Sequence, residues 1–208
     1  MDSEYFQPKK APVTFILVAI NIIIFFVFDI AGSTLNTEFM LAHGTMNPTM
    51  VVHYGEWYRL LTCTFLHFGI EHLLNNMLLL FLLGQIFEQA VGSVRFTGIY
   101  LGSGLSGSFL SLIWMCLRGE DNIVAGASGA IFGVVGGMIV VLLVHKGKYK
   151  DFTIRRMLFM AALTLYYGFR NAGTDNAGHV GGLIAGMLIT FLVYGVPTII
   201  KNAVIKND

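Results

Sequence analysis

Three short segments of this chain place polar side chains at the starts of apolar runs: Glu71-His72-Leu73-Leu74-Asn75-Asn76, Gly126-Ala127-Ser128-Gly129 and Asn176-Ala177-Gly178-His179. Ionisable and amide groups are costly in such runs and usually face a protein interior, so these residues are the first candidates for chemistry. A serine hydroxyl is a weak nucleophile until a neighbouring base takes its proton, and histidine is the usual base. Ser128 and His179 can therefore work as a dyad. A developing oxyanion needs fixed donors, and the backbone N–H groups where Ser128 opens its run offer them, together with the positive end of the helix dipole. His72 and Asn76, at i and i+4, share one helix face, and an imidazole N–H and an amide NH2 can both donate into such a hole. Taken alone, those two read as a structural pair satisfying each other across a helix interface. Asp175 lies one turn before His179, towards the aqueous surface, so no carboxylate is placed to orient the ring as in a triad. Packing by Phe132, one turn below Ser128, is expected to hold it instead.

Other chemistries fit less well. His67, His72 and His179 lack an HExxH motif or a carboxylate cluster, so no metal is expected. Gly126 to Ala130 lacks the second glycine of a G-x-S-x-G elbow, and no alternating strand pattern flanks it. Cys63 and Cys116 have no metal spacing, and a disulfide framework is not expected. No cofactor is called for. A net charge of +1 gives no bulk electrostatic case for nucleic acid.

The elements that must position these residues follow from hydropathy. Of 208 residues, 55% are hydrophobic and 12% charged, about half the roughly 25% charge of a soluble domain. A bilayer-spanning helix needs roughly 20 apolar residues. Six runs qualify, near 12–31, 70–90, 94–117, 126–145, 153–170 and 177–200. The expected fold is an all-α membrane protein, a six-transmembrane-helix bundle forming one domain over residues 1–208. The first run follows Lys9 and Lys10 as a signal peptide would. Ala11 to Ile30 is nonetheless longer than a usual apolar signal core of about 7 to 15 residues, so an uncleaved span fits better.

Lysine and arginine positions set the orientation. With the N-terminus cytoplasmic, ten fall inside (Lys9, Lys10, Arg95, Lys146, Lys148, Lys150, Arg155, Arg156, Lys201 and Lys206) and three outside (Arg59, Arg118 and Arg170). Both termini are then cytoplasmic. Spans two, four and six all enter from the outer side, which brings His72, Asn76, Ser128 and His179 into one shallow layer. Gly129, Gly133 and Gly137 along span four match Gly178, Gly182 and Gly186 along span six. Small residues at that spacing let two membrane helices approach closely, with Ser128 and His179 level. Gly98 and Gly102 in span three show the same spacing. The long outer connection, about 32–69, carries Phe39, Met40, Met46, Met50, Trp57 and Tyr58 among few charges, a composition suited to the membrane interface and a scaffolding role.

In these residues the chain resembles the rhomboid intramembrane proteases, nearly end to end and in order. The resemblance rests on Trp57-Tyr58-Arg59, His67-Phe68-Gly69-Ile70-Glu71-His72-Leu73-Leu74-Asn75-Asn76-Met77, Gly126-Ala127-Ser128-Gly129 and His179-Val180-Gly181-Gly182 with Gly186. It implies Ser128 as nucleophile, His179 as base and His72 and Asn76 as oxyanion contributors. It also implies structural roles for Arg59 and His67 in the outer loop, and for Gly84 and Glu88 as a framework pair at the inner end of span two. Substrates would be single-span membrane proteins cut near the outer face, where a segment must unwind to expose a peptide bond. Water would reach the site through a cavity open to the outer side, with lateral entry beside spans two and five. The chain looks like the minimal six-span form, and its short N-terminus without a transit peptide points to a bacterial plasma membrane. No oligomeric state is implied. The alternatives are a catalytically inactive rhomboid-like client-binding protein, although such relatives typically lose the Ser or His, and a small transporter, which would need an internal repeat or broken mid-membrane helices.

Overall fold

The computed structural model describes residues 10–170 and 173–205; Lys9 and Lys206 of the charge count, and the side chain of Arg170, lie outside the described residues. Its long helices are α1 (Pro12–Gly32), α4 (Gly69–Val91), α5 (Ser93–Arg118), α6 (Ser128–Val144), α7 (Ile154–Arg170) and α8 (Asn176–Thr190). A π-helical turn, Phe191–Gly195, carries α8 into α9 (Val196–Ile205), so this helical run ends five residues beyond the expected 200. The widened turn lies just before Pro197, which has no N–H to give to the turn behind it. Two short helices, α2 (Thr37–Ala42) and α3 (Arg59–Thr62), fold the outer connection, and a two-residue hairpin, β1 (Lys148–Tyr149) with β2 (Phe152–Thr153), joins α6 to α7.

Among the described residues, four helical stretches are long and apolar enough to cross a membrane: Pro12–Gly32, Gly69–Val91, Ser93–Arg118 and Asn176–Ile205. The 17-residue α6 is equally apolar but shorter, about 26 Å at 1.5 Å per residue. It begins at Ser128 rather than 126, because Gly126 has φ of +138° and is not helical.

The centre of the fold is the α5, α6 and α8 trio, in which two glycine rows face each other. A Cβ on Gly182 would overlap the Gly129 carbonyl, and one on Gly186 would overlap the Gly133 carbonyl. A Cβ on Gly133 would strike Ser103 of α5, and one on Gly107 would come 2.7 Å from the Gly178 carbonyl oxygen. Backbones therefore touch where side chains ordinarily intervene. The pairing runs one turn out of the expected register, Gly129 with Gly182 and Gly133 with Gly186, so Gly137 meets Thr190 of α8, as well as Phe87 of α4, rather than a glycine. Gly98 faces open space and Gly102 meets only Ile189, so the small-residue face of α5 is the later one through Ser103 and Gly107.

α1 packs on α4 through a polar anchor. Its N-cap, Ala11, makes no side-chain bond, and the first N–H groups of a helix need acceptors. Glu88 of α4 supplies them, accepting from Val13 N at 3.0 Å and Thr14 N at 2.7 Å. It also accepts from Thr14 Oγ1 at 2.7 Å and from Ser93 Oγ, at the start of α5, at 2.6 Å. Gly84 lies one turn earlier, where a Cβ would press on Thr14. One buried carboxylate thus gathers three helix ends.

The glycine contacts generate a paired prediction. Gly182→Ala should lower the unfolding midpoint in detergent, by about 1–3 kcal/mol of overpacking. Gly98→Ala should be neutral or stabilising, by up to about 1 kcal/mol of helix propensity. A lower midpoint for the Gly98 variant than for the Gly182 variant would contradict this packing.

Candidate active site

The juxtaposed rows bring Ser128, the first residue of α6, beside His179 in the first turn of α8, with Ser128 Oγ and His179 Nε2 2.9 Å apart. For the hydroxyl to donate, Nε2 must be the unprotonated nitrogen, which puts the ring proton on Nδ1. Nδ1 is buried and makes no hydrogen bond among the described residues. The ring lies parallel to Phe132, with centroids 4.4 Å apart and planes inclined by 19°. Stacking on Phe132 therefore restrains the orientation of the ring without a carboxylate at Nδ1. Asp175 points elsewhere: its Oδ1 accepts from Gly178 N at 2.9 Å and from Ser111 Oγ at 2.8 Å.

A cavity of about 440 Å³ opens over the pair, lined by both residues and by His72, Asn75 and Asn76 of α4. Asn76 gives one amide hydrogen to the His72 carbonyl, at 2.9 Å, leaving a second amide hydrogen. The His72 ring lies against Gly126, where a Cβ would come 2.8 Å from its Nε2. His72, Asn76, Ser128 and His179 thus share one cavity, and Gly126 is small so that the imidazole can approach the turn before Ser128. Cys63, Thr64, Gly104 and Ser108 also line it. Thr64, Gly104 and Ser108 are not expected there from the motifs, although Ser103-Gly104 and Gly107-Ser108 repeat small residues at helical spacing along α5. Both cysteines are free thiols, Cys63 buried and Cys116 exposed.

The outer connection frames this cavity. Arg59, 3% exposed, donates from Nη1 to the Leu41 and Thr45 carbonyls at 2.7 and 2.8 Å, and pairs through Nε with Glu56. Met46 and Val124 exchange backbone bonds of 2.9 and 2.8 Å, and Gly126 N donates to the Cys63 carbonyl at 2.9 Å. The segment leading to Ser128 is therefore stitched to the outer connection. Trp57 and Tyr58 are exposed, but Met40 and Met46 are fully buried. Met46 belongs to a small core with Val51, Leu60, Cys63, Leu112 and Met115 rather than to the interface.

Against known proteins, a model of the rhomboid domain matches residues 54–196. The chain belongs to the rhomboid family. Among its relatives, the rhomboid protease GluP of Bacillus subtilis (strain 168) is 37% identical over 185 residues, covering 89% of this chain and 35% of that protein. RHOMBOID-like protein 7 of Arabidopsis thaliana is 40% identical over 165 residues, or 78% of this chain and 50% of the relative. The putative rhomboid protease YdcA of Bacillus subtilis (strain 168) is 33% identical over 138 residues, 66% of this chain and 68% of the relative. The chain spans about a third to a half of the length of GluP and RHOMBOID-like protein 7. With its long apolar helices, this rhomboid is a multi-pass integral membrane protein.

In this rhomboid, His67 acts on the turn before the serine, where Ala127 N donates to His67 Nε2 at 3.3 Å. That bond needs a neutral ring. Burial, with a smaller contribution from His72, pushes the His67 pKa down from 6.5 to about 3. The unfolded chain takes up this proton first as pH falls, so the stabilisation is complete above 6.5 and is lost between there and about 3, at no more than about 1.4 kcal/mol per pH unit. The unfolding midpoint should therefore drop between about pH 7.5 and about pH 5, and drop less in His67→Gln. An equal drop in both proteins would exclude His67 as a source.

Proposed function

We propose that this rhomboid is an intramembrane serine endopeptidase that cuts single-span membrane proteins near the outer face. The observation that carries this reading is the 2.9 Å contact between Ser128 Oγ and His179 Nε2 at the floor of a cavity. Ser128 Oγ attacks the scissile carbonyl carbon as its proton passes to His179 Nε2. The negative charge gathers on the carbonyl oxygen, stabilised by the Ser128 backbone N–H and by the His72 and Asn76 side chains. When the C–N bond breaks, His179 returns the proton to the leaving amine and an acyl-enzyme remains. A water entering through the cavity gives a proton to His179 and attacks the ester, which releases the new carboxyl terminus and restores Ser128. The similarity to the rhomboid protease GluP supports this chemistry.

Residues 1–208 form one membrane domain in this reading, with six crossings that include the shorter α6 and the peripheral α7, and with both termini cytoplasmic. The ten-to-three split of lysines and arginines supports that orientation. Arg59, His67, Glu88, Gly129, Gly133, Gly182 and Gly186 are structural members of the site. A bacterial plasma membrane is the proposed location, in keeping with the two Bacillus relatives.

Ser128→Ala and His179→Ala should each lower cleavage of a model single-span substrate by about a thousandfold or more while the protein still folds. A fluorophosphonate should label Ser128 in the wild-type protein and not in Ser128→Ala. Full cleavage by either variant would overturn the dyad. Folded wild-type protein without Ser128-dependent labelling would favour a client-binding protein that does not cut.

A further inference from the structure

Asp175 is the acidic residue among those lining the cavity, yet it does not touch the His179 ring. We infer that Asp175, with Ser111 of α5, is a positioning residue for His179, acting through the first turn of α8 rather than through the imidazole. This inference rests on the reading of Ser128 and His179 as a dyad.

The ring has few constraints of its own: a neighbour at Nε2, Phe132 against one face, and no hydrogen bond at Nδ1 among the described residues. Its location therefore depends on where the backbone of α8 begins. The first turn is Asn176-Ala177-Gly178-His179, and a glycine there weakens the helix by about 1 kcal/mol relative to alanine. Asp175 is the N-cap that starts this turn. Its carboxylate accepts the Gly178 N–H at 2.9 Å and its carbonyl accepts the His179 N–H at 3.1 Å. Capping alone would fix the helix but not its relation to the neighbours. The Ser111 hydroxyl, donating to the same Oδ1 at 2.8 Å, adds that relation by tying the cap to α5. α5 is held in turn against α8, where Gly107 lies beneath the Gly178 carbonyl. The glycine rows set the separation of α6 and α8 deeper down. The Asp175 and Ser111 link sets the outer end, where a loosened turn would swing the imidazole away from Ser128.

Burial raises the Asp175 carboxyl, while the Gly178 N–H and the Ser111 hydroxyl hold it down. The two bonds need an acceptor oxygen, which asparagine retains.

The test compares Asp175→Ala, Asp175→Asn and Ser111→Ala with wild type, using kcat and KM for a single-span substrate and the rate of fluorophosphonate labelling per folded molecule. Asp175→Ala should lower kcat and the labelling rate by about tenfold to a hundredfold, the scale of a displacement near 1 Å. KM should change by less than about twofold, because substrate binding is not what is lost. Asp175→Asn should recover kcat to within about threefold of wild type, and Ser111→Ala should fall between, with the Asp175→Ala and Ser111→Ala losses non-additive in the double variant. Wild-type kcat per folded molecule in Asp175→Ala, or a loss of equal size in Asp175→Asn, would overturn the inference. If Asp175→Ala does not fold, wild-type kcat in Ser111→Ala overturns it, and a kcat loss there at unchanged KM supports it. Failure of the dyad itself appears separately, as wild-type protein that is not labelled at Ser128.

Discussion

The backbone of α8 lies directly against the backbone of α6, with Gly182 under the Gly129 carbonyl and Gly186 under the Gly133 carbonyl. In lipid, apolar side chains gain little by leaving one apolar surround for another, so helices associate through close packing. Glycine permits the closest version of it. Two parallel helices held at backbone contact keep their first turns at equal depth, so a serine opening one and a histidine in the first turn of the other come within hydrogen-bonding distance. Any side chain at Gly182 or Gly186 would separate the helices, and with them the pair.

A second constraint comes from polar groups taken out of water, which stabilise a fold only when they find partners. Glu88 receives hydrogen bonds from α1 and α5, and Arg59 holds two carbonyls of the outer connection. His67 accepts from the turn before Ser128. Arg59 and His67 lie in the outer connection beside the cavity, whereas Glu88 stands at the opposite end of α4. Each ties an element whose own local propensity would not place it, such as the uncapped start of α1 or the non-helical turn at Gly126.

The His179 ring beside Ser128 is consequently oriented by packing. Phe132 occupies the face of the imidazole, and Asp175 acts on the helix start rather than on the ring. An acid at Nδ1 would bring a further charge into a buried layer, whereas an aromatic face restricts the ring without one. The cavity beside it carries polar groups from α4, α5 and the segment before α6, which keeps the layer hospitable to water within an otherwise apolar bundle.

How much of this was legible in the sequence follows from the range of each interaction. Hydropathy determined the six long helices to within a few residues at most ends, because length and apolarity are local properties. Direction and depth then placed His72, Asn76, Ser128 and His179 in one layer, and i+4 glycine spacing marked the faces on which α6 and α8 meet, though not their register. The stacking of Phe132 followed from one helical turn. Other features depend on partners far away in the chain and have no local signature. Ser103 and Gly107 face α8 while Gly98 faces open space, though all lie on one helix. Met40 and Met46 are buried rather than interfacial, and Met46 joins a small core with Leu112 and Met115 of α5 that forms only once the outer connection folds over that helix. The Asp175 bond to Ser111 joins residues 64 positions apart. Composition and periodicity thus determined which polar residues stand at the starts of apolar helices and on which helices they stand. Tertiary packing decided which small residues are contacts, where buried polar groups find acceptors, and how the histidine ring is aimed, since each depends on distances between chain segments that no single segment encodes.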